Sequence, residues 1–419
     1  MAFYSSGDVE TRYLDPKSFI DGQRAVFELH GHHLATLPNM RLYDNGIFGQ
    51  NNGIYNLLCG ADSIITDIVL YDGRTILTKL SSFGLFRAFV NQNQSNVKTM
   101  SLRNPKSCNF IGYEKDNTDG LLDNLGTPTL TGTTRANSKG SYIDLREVLP
   151  MLNSMTHLPS DLFPNLRLEI TYDIASARQI MTDISQTTTG MLIPQLAIDV
   201  LDDEVVVSKM NKTMQNIQWL EIEKDQTQFP VSTNNGAAAD NGLEQELNVN
   251  LNGFKGKSVE RMLIIKEIAN VAEYLTGNAV NGFGRYSSVA FFKEKLQVRV
   301  NGQNLFPKQG IVGDMERLGM LVDTFGECFC FAGANQLDLD SGLIVGLNAA
   351  DGRKKIGQLC YSGFYLGKKV IDLQMSHART GIQDNGTFKP ATSAVNMHYF
   401  GEIRKALVMG KNGYNVVYV

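Results

Sequence analysis

Along much of this chain, apolar and polar residues alternate one by one. That two-residue period marks a strand with one face in a core and the other in water. The clearest run is Leu166-Arg167-Leu168-Glu169-Ile170-Thr171-Tyr172. Leu166, Leu168, Ile170 and Tyr172 are set for the core there, and Arg167, Glu169 and Thr171 for water. Val26-Phe27-Glu28-Leu29-His30 and Leu196-Ala197-Ile198-Asp199-Val200-Leu201 read as further strands of the first half. In the second half, Leu247, Val249 and Leu251 alternate with Asn248, Asn250 and Asn252. Leu296, Val298 and Val300 alternate with Gln297, Arg299 and Asn301, and Ile371 and Leu373 with Asp372 and Gln374. Met262-Leu263-Ile264-Ile265 is a compact apolar run suited to a buried strand. Tyr414-Asn415-Val416-Val417-Tyr418-Val419 predicts a closing strand held in a sheet.

The punctuation between the runs agrees. Residues 64–80 predict a hairpin that turns on Asp72-Gly73, because Asp-Gly supplies the positive φ a two-residue turn needs. Asn301-Gly302 predicts another such turn. Helices are few and short. Asp144 is placed to cap one that carries Leu145, Val148, Leu149 and Leu152 on one face. A second covers residues 203–213, and a third, near 314–325, carries Leu318, Leu321, Val322 and Phe325. Residues 115–141, 231–242 and 383–393 are polar and predict long loops, read here as surface or subunit-contact loops and not as active-site lids.

Composition narrows the class. Hydrophobic residues are 42% of the 419, enough for a sizeable core, and 39 Gly against 11 Pro suit many turns. The net charge is −4 and the basic residues are scattered, so no sequence-specific nucleic-acid binding is expected. The cysteines, Cys59, Cys108, Cys328, Cys330 and Cys360, are odd in number and predict reduced thiols used as small core hydrophobes. Met1 to Ser6 open the chain without an apolar signal core, and no apolar run approaches the ~18 residues of a membrane helix. The Asn-x-Ser/Thr sites at Asn93, Asn211 and Asn385 are then expected to stay unmodified.

The search for chemistry yields little. Gly282-Phe283-Gly284 starts a glycine-rich pattern, but Ser287 stands at the third glycine and no βαβ unit surrounds it, so a turn is expected. Neither a phosphate-binding GxxxxGK[ST] loop nor a GxSxG elbow occurs. His30 and His32 of His30-Gly31-His32-His33 could share a strand face and chelate a metal, yet no third ligand is indicated. His157, His377 and His398 stand alone and read as structural. Asp338-Leu339-Asp340 lacks the closing glutamate of a calcium loop and reads as a turn. Cys328-Phe-Cys330 has no second pair to make a zinc ribbon. Asp202-Asp203-Glu204 is expected to start a helix, where it offsets the dipole. Trp219, the only tryptophan, argues weakly against a sugar-stacking platform. No catalytic, cofactor-binding or metal-binding residue is assigned, and no enzyme is expected.

Each half holds a hairpin, a small helix and late alternating strands, and each is long enough for one jelly roll. The expected fold class is all-β: two tandem eight-stranded jelly-roll β-sandwiches with a few short inserted helices. The expected division is residues 1–212 and 213–419. Four segments carry a resemblance. They are Leu196 to Glu204; Phe229-Pro230-Val231 with Glu246 to Leu251 and Val259 to Ile265; Val300-Asn301-Gly302-Gln303-Asn304-Leu305-Phe306-Pro307; and Ala394 to Glu402 with the strand after Asn412-Gly413. In this order they resemble the double jelly-roll major capsid proteins of virophages, Polinton-like viruses and nucleocytoplasmic large DNA viruses. The first half matches by its strand pattern only.

The resemblance implies a shell protein made in the host cell and located in the virion. Three chains would form a pseudo-hexagonal homotrimeric capsomer, and capsomers would tile an icosahedral shell. Implied partners are other copies of the chain, penton and minor capsid proteins, and an internal membrane where one underlies the shell. The competing reading is a β-sandwich glycan-binding protein or glycan-active enzyme.

Overall fold

The computed structural model describes residues 9–29, 39–43, 47–49, 61–93, 142–155, 158, 162–173, 188–201, 205, 208, 216–230, 244–269, 290–326, 361–384, 387–389, 394–410 and 413–419. In the first half the strands are β1 (Val9–Leu14), β2 (Ser18–Ile20), β3 (Arg24–Glu28), β4 (Met40–Tyr43), β5 (Ile47–Gly49), β6 (Ile65–Asp72), β7 (Thr75–Ser81), β8 (Tyr142–Asp144), β9 (Leu166–Tyr172), β10 (Thr188–Met191) and β11 (Gln195–Leu201). Helices α1 (Phe83–Asn93) and α2 (Pro150–Ser154) lie among them. The second half has β12 (Ile217–Phe229), β13 (Gln245–Asn250), β14 (Ser258–Ile268), β15 (Ala290–Phe292), β16 (Lys295–Val300), β17 (Gln303–Asn304), β18 (Ser362–Lys369) and β19 (Leu373–Arg379). It continues with β20 (Gly381–Asp384), β21 (Thr387–Lys389), β22 (Val395–Gly410) and β23 (Gly413–Tyr418), and α3 (Asp314–Phe325) is the α-helix among its described residues.

The strand orders define the architecture. The first half pairs β1-β11-β4-β8 in one sheet and β2-β3-β9-β6-β7 in another, and the second half pairs β12-β22-β14-β18 and β13-β19-β16-β17. Without the accessory strands β2, β5, β10, β15, β20, β21 and β23, eight of the described strands remain in each half. Numbered one to eight along the chain, they read 1-8-3-6 in one sheet and 2-7-4-5 in the other, identically in both halves. That order is the eight-stranded jelly roll, so the fold is all-β with two tandem copies of one topology.

Side-chain burial follows the sequence pattern where a strand has one wet face. Along β9, residues at alternate positions are buried, from Leu166 to Tyr172. The Met262 to Ile265 run has a different cause. Met262 and Ile264 belong to the core of the second jelly roll, with Val298, Met375 and Tyr399. Leu263 and Ile265 belong instead to the core that contains Phe27, Phe89 and Leu168 of the first half. At this run the sheet that holds β14 is covered on both faces, so all four of its positions are apolar. β23 pairs with the far half of β22, from Lys405↔Tyr418 to Gly410↔Gly413, which places the closing strand in a sheet as expected.

Four local expectations change. The first hairpin turns on Gly73-Arg74, because Asp72 still pairs with Thr75 in the ladder. Gly73 takes φ +59° and Arg74 stays out of the positive region, the pattern of a type II′ turn with glycine first. Asn301 and Gly302 both take positive φ, as expected. Asp144 accepts from the Arg146 N–H and caps only the 3-10 turn Leu145–Glu147. Pro150, at the start of α2, has no N–H with which to continue that turn, so the single expected helix splits in two. Its apolar face is nonetheless buried, at Leu145, Val148, Leu149 and Leu152. The polar stretch at 383–393 contains strand β21 and the end of β20, which pair with each other. Ile371 lies outside β19 and is exposed. α3 forms over the predicted residues. The stretches 115–141 and 231–242, and most of 203–213, lie outside the described residues.

Candidate functional site

Most of the motifs singled out in the sequence lie outside the described residues: His30 to His33, His157, all five cysteines, Asp202 to Glu204, Gly282 to Gly284, and Asp338 to Asp340. Among the described residues, no group of three or more His, Cys, Asp or Glu is arranged to hold a metal ion. Nor is any helix among them long and apolar enough to cross a membrane. The features that remain are a seam between the jelly rolls, a buried polar cluster inside the second, and one exposed sheet face on the first.

The seam is built from aromatic residues. Phe86 of α1 meets Phe400 of β22, with ring centroids 5.4 Å apart. Phe89 packs against Phe325 of α3 at 5.4 Å and Tyr361 at 5.1 Å. Phe163 stacks on Tyr414 of β23 at 4.9 Å, and the Tyr414 hydroxyl donates to Asp72 Oδ2 at 2.7 Å. At its centre lies Glu221, which is fully buried. Its carboxylate accepts from the Lys79 N–H at 2.7 Å and the Thr78 hydroxyl at 3.1 Å on β7, and from Trp219 Nε1 at 2.6 Å. Burial pushes the Glu221 carboxyl up, against the pull of Lys405 and of these donors. Trp219 is thereby committed to the seam.

The second jelly roll carries charges in its core. Lys266 donates to Glu294 at 2.6 Å, and Arg317 of α3 contacts the same carboxylate. Arg379 is fully buried between Phe229 and Phe291, at 4.3 and 4.7 Å, and donates to the Pro230 carbonyl at 3.1 Å. Burial lowers its guanidinium to about 10. His398 meets Glu267 at 2.9 Å, and His377 meets the Tyr399 hydroxyl at 3.0 Å. Burial, then the charge of Lys266, pulls His377 down to about 3, which keeps it neutral. Both histidines are thus buried and paired within the fold. The ionic residues were not anticipated. Their signal was Lys266-Glu267 inside an apolar run that continues to Ile268, a place where charge survives only when paired.

The exposed face belongs to the sheet β1-β11-β4-β8. Its inner side, with Met40, Leu42, Ile143, Leu196 and Ile198, lies in the core. On its outer side Tyr13, Tyr43 and Tyr142 form a row, with centroid distances of 6.0 and 5.2 Å. Tyr13 is 61% exposed. Beside the row, Asp199 accepts from Thr11 at 2.7 Å and Asn39 at 2.9 Å and lies 3.5 Å from Arg41.

The fold defines the class: a double jelly roll. No protein-family model matches the sequence, and no curated protein sequence matches it. Among solved structures, the chain is similar to the capsid of virus PBCV-1, with a TM-score of 0.61 and 11% identity over 100% of this chain and 99% of that one. It is similar to the Sputnik virophage structure, with a TM-score of 0.58 and 10% identity over 100% of this chain and 90% of that one. The mavirus major capsid protein gives a TM-score of 0.55 and 9% identity over 100% and 91%. Both jelly rolls and their arrangement are thus shared from end to end.

Proposed function

We propose that this chain is a major capsid protein that assembles as a trimeric, pseudo-hexagonal capsomer. The observation that carries the reading is an asymmetry between two like units. In the second jelly roll the sheet β12-β22-β14-β18 has its outer face covered by the first half, through residues such as Leu263, Ile265 and Phe400. The topologically equivalent sheet of the first jelly roll, β1-β11-β4-β8, presents Tyr13 to solvent on its outer face. The contact within the chain is head-to-tail. Repeating such a contact between chains closes a ring when the rotation allows. Six jelly rolls, from three chains, give the pseudo-hexagon that the likeness to capsid proteins suggests.

On this reading the chain divides at residues 212 and 213, acts in the virion shell and performs no turnover. Its partners are its own copies and penton and minor capsid proteins, with an internal membrane where one underlies the shell. A glycan-binding role draws no support from Trp219, which is buried at 4% exposure in the seam. The test is light scattering on purified protein. The expected mass is three chains, and Tyr13→Asp, which places charge at the centre of the proposed contact, is expected to give monomers with unchanged circular dichroism. A strictly monomeric parent protein at high concentration would overturn the reading.

A further inference from the structure

β23 is an edge strand without the usual protection. Proteins guard sheet edges with charge, proline or short length, because unpaired backbone groups invite another strand. Every other described edge strand of at least five residues carries a charge, for example Arg12 on β1, Lys79 on β7, Glu223 on β12, Glu246 on β13 and Lys368 on β18. The six residues of β23, Gly413-Tyr414-Asn415-Val416-Val417-Tyr418, contain neither charge nor proline.

The hydrogen-bond phase of this edge follows from its hairpin. Gly410 and Gly413 flank a two-residue connection, so they form a hydrogen-bonded pair and the pairing alternates from there. Asn415 and Val417 therefore use their backbone groups on Val408 and Ala406 of β22. The Val419 N–H donates to the Arg404 carbonyl at 3.1 Å, in the same phase. The N–H and C=O of Tyr414, Val416 and Tyr418 point away from β22, and no backbone partner meets them among the described residues. The adjoining face mixes exposed apolar residues with Gln218, Arg404 and Asn415. Leu220, Val408, Val417 and Val419 lie on one side of this sheet end and are 36%, 36%, 38% and 48% exposed.

We infer that two copies of the chain pair through β23, antiparallel, across a two-fold axis at Val416. Six outward backbone groups in a row offer a template that another strand matches group for group. A lipid surface offers no partners for them, and a helix has spent its own. The chain itself supplies the strand. With Val416 opposite its own copy, Tyr414 faces Tyr418 of the second copy and all outward groups are matched. Such a contact is isologous, and with no charge on the strand no like charges meet across the axis. The inference rests on the capsid reading for its supply of adjacent copies. The pairing would then join capsomers and would not form the trimer.

Register makes the inference testable. With Val416 on the axis, residue 415 of one copy faces residue 417 of the other in a non-hydrogen-bonded pair. Its Cα separation is about 4.5 Å, within disulfide reach. Purified Asn415→Cys and Val417→Cys proteins are mixed, oxidised mildly and run on a non-reducing gel beside each variant alone and the parent. The expected result is a crosslinked dimer several-fold enriched in the mixture, and lost when Val417→Lys is added to the Asn415→Cys protein instead. Equal crosslinking in mixture and single variants, or none above the parent, overturns the inference. Light scattering on the same samples separates the two readings. Trimers without the crosslink sink the pairing and leave the capsomer, whereas crosslinked pairs without trimers do the reverse.

Discussion

His377 shows how one buried side chain sets a pH dependence. In the fold it is 1% exposed, accepts no charge, and has its pKa pulled down to about 3 by burial and by Lys266. In the unfolded chain the same imidazole binds a proton near pH 6.5. Between these values the unfolded state holds more protons, so its stabilising effect is complete above pH 6.5 and is lost as pH falls toward 3. The loss is about 2 kcal/mol between pH 7 and pH 5 for this group alone. Urea unfolding at the two pH values is expected to show a pH-dependent loss about 2 kcal/mol larger in the parent protein than in His377→Gln, whose amide still meets Tyr399. An identical pH slope in both proteins would refute the assignment.

At the scale of elements, α3 depends on a glycine. Gly363 of β18 lies where α3 crosses, and a Cβ there would come within 2.6 Å of Phe325 Cε2 and 2.9 Å of Leu321 Cδ1. Leu321 is fully buried, so its side chain has little room to retreat, and Phe325 is half-buried in the seam. Gly363→Ala is expected to lift α3 and cost about 1–3 kcal/mol, as overpacked cores do. Chemical denaturation measures it directly. A change below about 0.5 kcal/mol, the range of ordinary surface substitutions, would show that α3 rests loosely on the strand.

For the whole molecule the decisive feature is that one apolar cluster takes residues from both jelly rolls. Phe27, Phe89 and Leu168 share it with Leu263, Phe400 and Leu407. The halves should therefore unfold together, in one calorimetric transition, although each has a complete jelly-roll topology. Phe89 touches α3 and Tyr361 across the seam, and Phe89→Ala is expected to cost about 3–5 kcal/mol. More tellingly, it should split the transition in two, because the loss falls on the contact between the halves. Two transitions in the parent protein would mean that the seam is weaker than its packing suggests.

Much of the fold was legible in the chain because strand alternation is a local code. β9, β16 and the Asn301-Gly302 turn depend only on which residues are neighbours in sequence, and residue spacing sufficed to place α3. Local rules failed where one atom or one distant strand decided. The ring of Pro150 split a helix that spacing predicted, and a one-residue difference in ladder pairing moved the first turn to Gly73-Arg74. The buried run Met262 to Ile265 announced a covered strand, but only the packing revealed that its alternate residues enter different cores. Of the paired core charges only Lys266-Glu267 left a trace in sequence, and the seam and the tyrosine row at Tyr13, Tyr43 and Tyr142 left none. Each joins residues far apart along the chain, and their meeting is set by sheet order and packing, which no local pattern encodes.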